Sequence, residues 1–263
     1  EFLASVLSNR GGFYHPAVYL EEAKRLGIEV RLPDVNKSQF CYTVEGDAIR
    51  VGFVEVRNLP QRPVEAILDP RSERPFRSLS DLYRRIGCGR ADAEVLIQCG
   101  ACDGFGLPRP ALFWELRTLL QADSASGKAN ERGESQLFVD EDAPLYLPRI
   151  PDYSRKKRSD SEWAALGLTV TTHPIEYYVS LLTEHALVLT NNMPHYAGRV
   201  VTLFGWLIAE RRVGLKGRGC MKFLTLEDPA GVFEAVMFPD VYQRLGHLLD
   251  SQGPFLITGE LQE

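Results

Sequence analysis

The chain has 263 residues, 44% of them apolar, and a formal net charge of −5. That length holds two small domains, or one with a long appendage, and no apolar run approaches the roughly 20 residues of a membrane span. The acidic balance excludes a protein coated in positive charge, so any nucleic-acid contact must come from a local patch.

Five scattered cysteines suit a reducing cytosol better than a disulfide framework. The opening Glu1-Phe-Leu-Ala reads as mid-helix with no basic leader, so no signal peptide is expected and both ends read as cut from a longer chain. Phe2 to Val30 has helical spacing in two segments. Leu3, Val6 and Leu7 mark the first, Val18, Tyr19, Ala23 and Leu26 the second, with Gly11-Gly12 between them. Ile28 to Pro33 then turns extended, and Asp34 to Ser38 reads as a loop. Residues 1–45 have no evident core of their own and are expected to edge something larger.

Residues 46–121 hold two candidate helix-hairpin-helix units. Such a unit needs an apolar-Gly-apolar-Gly turn, then Ala and Leu four and seven residues after the last Gly, so that the second helix packs while its N-terminus faces outward. Ile86-Gly-Cys-Gly89 fits the turn, and Ala93 and Leu96 fit the later positions. Glycine at Gly87 and Gly89 allows backbone amides to approach a phosphate, and the helix N-terminus adds positive potential beside Arg90. A hairpin of this kind grips backbone without reading bases. The earlier copy, Val56-Arg-Asn-Leu-Pro60 with Val64 and Ile67, has Asn58 and Pro60 in the glycine slots. Asn tolerates left-handed backbone, whereas Pro removes a donor, so phosphate capture there is weakened. The competing reading is that both turns are only helix-packing corners.

Residues 122–160 read as a polar linker containing Glu134-Ser-Gln-Leu-Phe138. Leu137 and Phe138 gain little in a solvated linker unless something binds them or they pin it to its own domain. Residues 161–194 form a helical connector, with Trp163, Ala164 and Leu166 in one helix and Thr172-His-Pro174 opening another.

The last segment, residues 195–263, reads as a barrel. Val200 to Arg211 and Met221 to Glu227 form a β-hairpin whose turn is marked by Gly214, Gly217 and Gly219. A third strand spans Val232 to Phe238, Asp240 to Leu249 has helical spacing, and Pro254 to Leu261 is strand-like again. The order β-β-β-α-β is that of an OB-type barrel lacking its fifth strand, so the fold class is α+β. The basic patch lies here: Arg199, Arg211, Arg212, Lys216, Arg218 and Lys222, with Glu210 the only acid among them.

Nucleotidyl-transfer chemistry needs carboxylates that share metal ions. The only Asp-x-Asp is Asp140-Glu-Asp142, a solvated charge run in the linker. Cys99-Gly-Ala-Cys102 is a lone CxxC without zinc partners, and no phosphate-loop or dinucleotide fingerprint occurs. On its own residues the chain reads as a binding module.

With these residues laid out, the chain resembles the C-terminal part of the bacterial DNA polymerase III alpha subunit, the C-family polymerase. Gly12-Phe-Tyr-His-Pro16 and Pro33-Asp-Val-Asn-Lys-Ser38 resemble the end of that family's fingers. Pro75 to Leu82 and Leu96 to Asp103 resemble its tandem helix-hairpin-helix region, Gly167 to Pro174 the segment before its OB domain, and Met221 to Asp228 with Phe238 to Tyr242 the OB domain itself.

The resemblance implies that Gly87, Gly89, Arg90 and Asn58 face duplex phosphates of primer-template DNA. It implies that Arg211, Arg212, Lys216, Arg218 and Lys222 line a single-strand path, with Phe204, Trp206 and Phe223 as possible stacking faces beside a core-packing role. Glu134, Leu137 and Phe138 correspond to a sliding-clamp peptide of the form Gln-x-x-Leu-Phe, with Glu replacing an amide by a charge. Partners would be single-stranded and primer-template DNA, the sliding clamp and the rest of the polymerase chain, in the cytoplasm at the nucleoid, with no membrane. The departures at Asn58, Pro60 and Glu134 point to a divergent form, such as an error-prone paralogue. The palm carboxylates and their Mg2+ belong upstream, so no cofactor and no polymerase activity are expected of this fragment. The rival readings are an RNA- or tRNA-binding OB module and a clamp-docking scaffold.

Overall fold

The computed structural model describes residues 1–9, 11–12, 14–131, 148–178, 187–215, 219–251 and 253–262. They form two compact units, one of residues 1–9 and 29–171, the other of residues 10–28 and 172–263.

The first unit is mainly helical. It contains α1 (Phe2–Asn9), α3 (Gln61–Glu73), α4 (Leu79–Ile86), α5 (Arg90–Gln98), α6 (Arg109–Glu131) and α7 (Arg155–Leu166). A small sheet of β1 (Glu29–Arg31), β2 (Thr43–Glu45) and β3 (Ala48–Arg50) runs in the order β1-β3-β2, with β1 parallel and β2 antiparallel to the central strand. Its polar face is tied by Arg50, whose guanidinium donates to both Glu45 oxygens at 2.9 and 2.7 Å and to the Leu32 carbonyl at 2.7 Å.

The Asp34-to-Ser38 loop is a clamp. Asn36 donates to the Phe76 carbonyl at 2.9 Å and accepts the Phe76 amide at 2.7 Å, so one side chain satisfies both backbone groups ahead of α4. Arg85 has a similar duty at the C-terminus of α3. It donates to the Pro70 and Arg74 carbonyls and stacks 4.5 Å from the Phe76 ring centroid, covering acceptors that the helix end leaves open.

A buried ion network joins α6 and α7. Arg109, 1% exposed, makes a bidentate pair with Asp103 at 2.9 and 2.8 Å and approaches Glu162 at 3.7 Å. Glu162, fully buried, accepts the Val170 and Thr171 amides at 3.1 Å each. Burial on this scale is tolerated because each oxygen is hydrogen-bonded, and removing one partner would strand the other.

The second unit holds α2 (Pro16–Arg25) and the curled mixed sheet. Its strands are β4 (Leu187–Val188), β5 (Val200–Leu215), β6 (Gly219–Asp228), β7 (Gly231–Met237) and β8 (Phe255–Glu260), with α8 (Pro239–Leu245) between the last two. The order is β4-β5-β6-β7, with β8 also pairing β5. The expected β-β-β-α-β order is therefore present as an OB-type half-barrel lacking a strand. The short β4, parallel to β5, was not legible in the sequence.

β5 serves two neighbours in succession. Val200 to Gly205 pair with β8, and from Trp206 onward the strand pairs with β6. The crossing is made at Gly205, where a Cβ would lie 2.8 Å from both the Leu226 Cβ and the Phe233 ring. Beneath it Val201, Leu203, Leu207, Leu224, Leu226 and Phe233 form the core. Each such side chain contributes about 1.5–3 kcal/mol when fully buried.

Candidate nucleic-acid interface

In the first unit the two turns share one backbone geometry. Gly87 ends α4 at φ +58° and ψ +35°, and Asn58 holds φ +58° at the matching place of the earlier turn. The next slot also agrees, Gly89 at φ −69°, ψ 163° and Pro60 at φ −62°, ψ 160°, both extended residues that precede a helix. Val64, Ile67, Ala93 and Leu96 are all buried, which is what the template spacing requires. The helix expected ahead of the earlier turn is a single 3-10 turn, Phe53–Glu55.

The two turns differ in what they offer a ligand. No heavy atom lies within 4 Å of a Cβ built on Gly87, so that face is open. The Gly87 amide nevertheless donates to the Tyr83 carbonyl at 3.1 Å, and the Gly89 amide to Asp92 Oδ2 at 3.1 Å. What remains for an anion is the first turn of α5, whose amides have no intrahelical acceptor. Arg90 is exposed beside it and pairs with Glu94 at 2.7 Å. In the earlier turn Pro60 lacks its amide hydrogen and so does Pro63, three residues on. The Arg57 amide there donates to the Ala165 carbonyl at 2.7 Å, and its guanidinium lies against Gly167. The Asn58 turn is anchored on the end of α7, while the Gly87 turn is open.

In the second unit the strand register sorts the basic patch by face. Residues directly opposite across an antiparallel pair share a face, and consecutive residues alternate. Arg211 is opposite Phe223, which is opposite Val236, and this row lies on the outer face. The Arg211 guanidinium sits 5.1 Å from the Phe223 ring centroid, and Val236 is 41% exposed. Arg212 is opposite Lys222, on the face that carries Leu224 and Leu226 into the core. Both cations lie 5.8 Å from the Tyr242 ring of α8, and Lys222 is paired to Glu210 at 2.6 Å.

A bulge between Leu207 and Ala209 decides where Trp206 falls. Strict alternation would put Trp206 with Arg212; the extra residue, Ile208, shifts the phase and puts it opposite Glu227 on the outer face. That end of the face is covered. His173 packs edge-on to Trp206 at 6.3 Å and bonds Glu227 at 2.9 Å, and Arg25 reaches Glu227 at 3.7 Å. His173 Nδ1 accepts the Ile175 amide at 3.1 Å, so the hydrogen on Nε2 is the one donated to Glu227. Asp228 next to it is a turn anchor, accepting the Thr190, Ala230 and Gly231 amides at 2.7, 2.7 and 2.9 Å. Neither role was foreseen from the sequence, although the adjacent Glu227-Asp228 in an apolar strand is a visible signal.

Phe204 is buried in the sheet. Lys216, Arg218, Glu134, Leu137 and Phe138 lie outside the described residues, as does Asp140-Glu-Asp142. Among the described residues no group of three or more His, Cys, Asp or Glu is placed to hold a metal ion, and no helix is long and apolar enough to cross a membrane. Cys99 and Cys102 are buried; burial pushes the Cys99 thiol up to about 12 and raises that of Cys102.

The sequence model described as "Helix-hairpin-helix motif" matches residues 27–112, the stretch that contains both turns. An error-prone DNA polymerase of Symbiobacterium thermophilum is 29% identical over 99% of the chain and 28% of its own length. DNA polymerase III alpha subunits of Thermus aquaticus and Vibrio cholerae are 30% and 28% identical, over 100% and 99% of the chain and 22% and 24% of their own lengths. The chain thus spans about a quarter of the length of these relatives. Along almost its entire length it is similar to one segment of DNA polymerase III alpha subunits, and part of that length matches the helix-hairpin-helix model.

Proposed function

We propose that this chain is a DNA-handling segment of a replicative or error-prone DNA polymerase III alpha subunit, positioning DNA for chemistry performed by the rest of the polymerase. The observation that carries the reading is the coincidence of the helix-hairpin-helix match with the open Gly87 turn. In this proposal the α5 N-terminus and Arg90 hold phosphates of the primer-template duplex. The outer row of Arg211 and Phe223 holds single-stranded template, by a cation for the backbone and a ring for any base. Docking of a sliding clamp on Leu137 and Phe138 belongs to the same proposal and is tested separately, by clamp pull-down with the Leu137→Ala/Phe138→Ala chain.

The test is fluorescence anisotropy with labelled single-stranded and primer-template DNA at several salt concentrations. Ala91 is exposed in the first turn of α5. Ala91→Asp places a carboxylate where helices accept one, so folding is preserved while a phosphate is repelled. Duplex affinity is expected to fall several-fold in Ala91→Asp and single-strand affinity in Arg211→Ala. Unchanged duplex binding in Ala91→Asp would remove the hairpin from the interface.

A further inference from the structure

Among the described residues the cations of the β5–β6 hairpin are divided between its faces, and the hairpin outruns the sheet. The last pairing of β7 is Met237 with Lys222, so the rows Val213 with Met221, Gly214 with Cys220 and Leu215 with Gly219 form a two-stranded ribbon. β8 pairs β5 only as far as Gly205 and does not reach it.

At the base of this ribbon two consecutive arginines point to opposite faces, each laid on an aromatic ring: Arg211 on Phe223 and Arg212 on Tyr242. Both are exposed, and neither pairs with a carboxylate among the described residues. Arg212 donates Nε to Cys220 Sγ at 3.1 Å, which fixes the plane of its guanidinium. Glu210 neutralises Lys222 alone. Arg212 and Lys222 are directly opposite each other, and the Glu210 carboxylate on Lys222 offsets their repulsion.

A guanidinium lying over a ring, with no carboxylate to occupy it, keeps its donor fork ready for a phosphate. A single strand offers one backbone, and that backbone can follow only one face of the ribbon. A groove or a fork offers two, and a two-stranded ribbon is of a size to enter between them.

We infer that the β5–β6 ribbon sits between two phosphate backbones of a nucleic acid, Arg211 gripping one and Arg212, backed by Tyr242, gripping the other. The inference rests on the nucleic-acid reading above and adds a second contact face to it. The ligand class is a duplex groove or a fork, in contrast to an isolated single strand.

The test compares the full chain with its Arg211→Ala, Arg212→Ala and Arg212→Gln variants on a labelled single strand, a blunt duplex and a fork with two single-stranded tails. Arg212→Gln keeps much of the stem over Tyr242 while removing the charge, which separates loss of the cation from loss of packing. On the fork or the duplex, each arginine is expected to contribute about a three- to tenfold loss and about one unit of salt slope. On the single strand only Arg211→Ala should weaken binding. The two-backbone substrate that responds to Arg212 identifies groove or fork as the ligand. Arg212 variants that match the wild type on both would overturn the inference and leave single-strand binding by Arg211 standing. A wild-type chain that binds none of the three substrates would overturn both readings.

Discussion

Asn58 and Gly87 hold the same left-handed backbone angle, φ +58°, at equivalent points of two consecutive turns. The agreement shows a duplicated geometry met by two different residues. Left-handed backbone costs an ordinary L-residue about 1–2 kcal/mol, glycine none, and asparagine an intermediate amount. Gly87→Ala is therefore expected to lower stability by about 1 kcal/mol, although a Cβ there touches nothing. Asn58→Ala should cost less and Asn58→Gly nothing. Urea unfolding midpoints followed by circular dichroism give the ranking, and an unchanged midpoint in Gly87→Ala would contradict it.

Gly205 fails for the opposite reason, lack of room. A Cβ there meets Leu226 of β6 and Phe233 of β7 at 2.8 Å, both core residues. Gly205→Ala is expected to cost about 1–3 kcal/mol through overpacking, and Gly205→Val more. Phe233→Leu in the Gly205→Ala background should recover part of the loss by removing the ring. A pair of substitutions with strictly additive effects would show that the two sites do not compete for the same space.

The five cysteines divide by access. Cys88, Cys99 and Cys102 are buried, whereas Cys41 and Cys220 are partly exposed. Burial pushes Cys88 up to about 11 and Cys99 up to about 12, so neither is a thiolate at pH 8. Titration with a thiol-reactive disulfide at pH 8 should modify two thiols in the native protein and all five in denaturant. Peptide mapping should assign the first two to Cys41 and Cys220. Fast native modification of Cys99 would refute the buried geometry.

Acid sensitivity of the small sheet follows from Glu45. Its hydrogen bonds and charge contact with Arg50, followed by those with Arg31, hold its carboxyl below the ordinary glutamate value, against the opposing effect of burial. The folded value lies below the unfolded one, so its stabilisation is present above the unfolded value and is lost as pH falls through the folded one. Glu45→Gln should be less stable than the wild type at pH 7, with the difference closing toward pH 3. A difference independent of pH would assign the loss to packing instead of charge.

The hairpin turn Ile86-Gly-Cys-Gly89, its Ala93 and Leu96 positions, and the β-β-β-α-β order of the barrel were all legible in the sequence. They rest on local rules: glycine where backbone angles demand it, an apolar residue wherever a helix or strand turns inward. Tertiary structure decided the rest. The bulge at Ile208 put Trp206 on the face of Arg211, because one unpaired residue reverses the side of every residue beyond it. The engagement of the Gly89 amide by Asp92 and the Arg109–Glu162 contact depend on side-chain placement in three dimensions, the second across separate helices. α2 belongs with the barrel unit through contacts distant in sequence, such as Arg25 with Glu227. Periodicity in one dimension records which residues turn inward; only packing settles which of them meet.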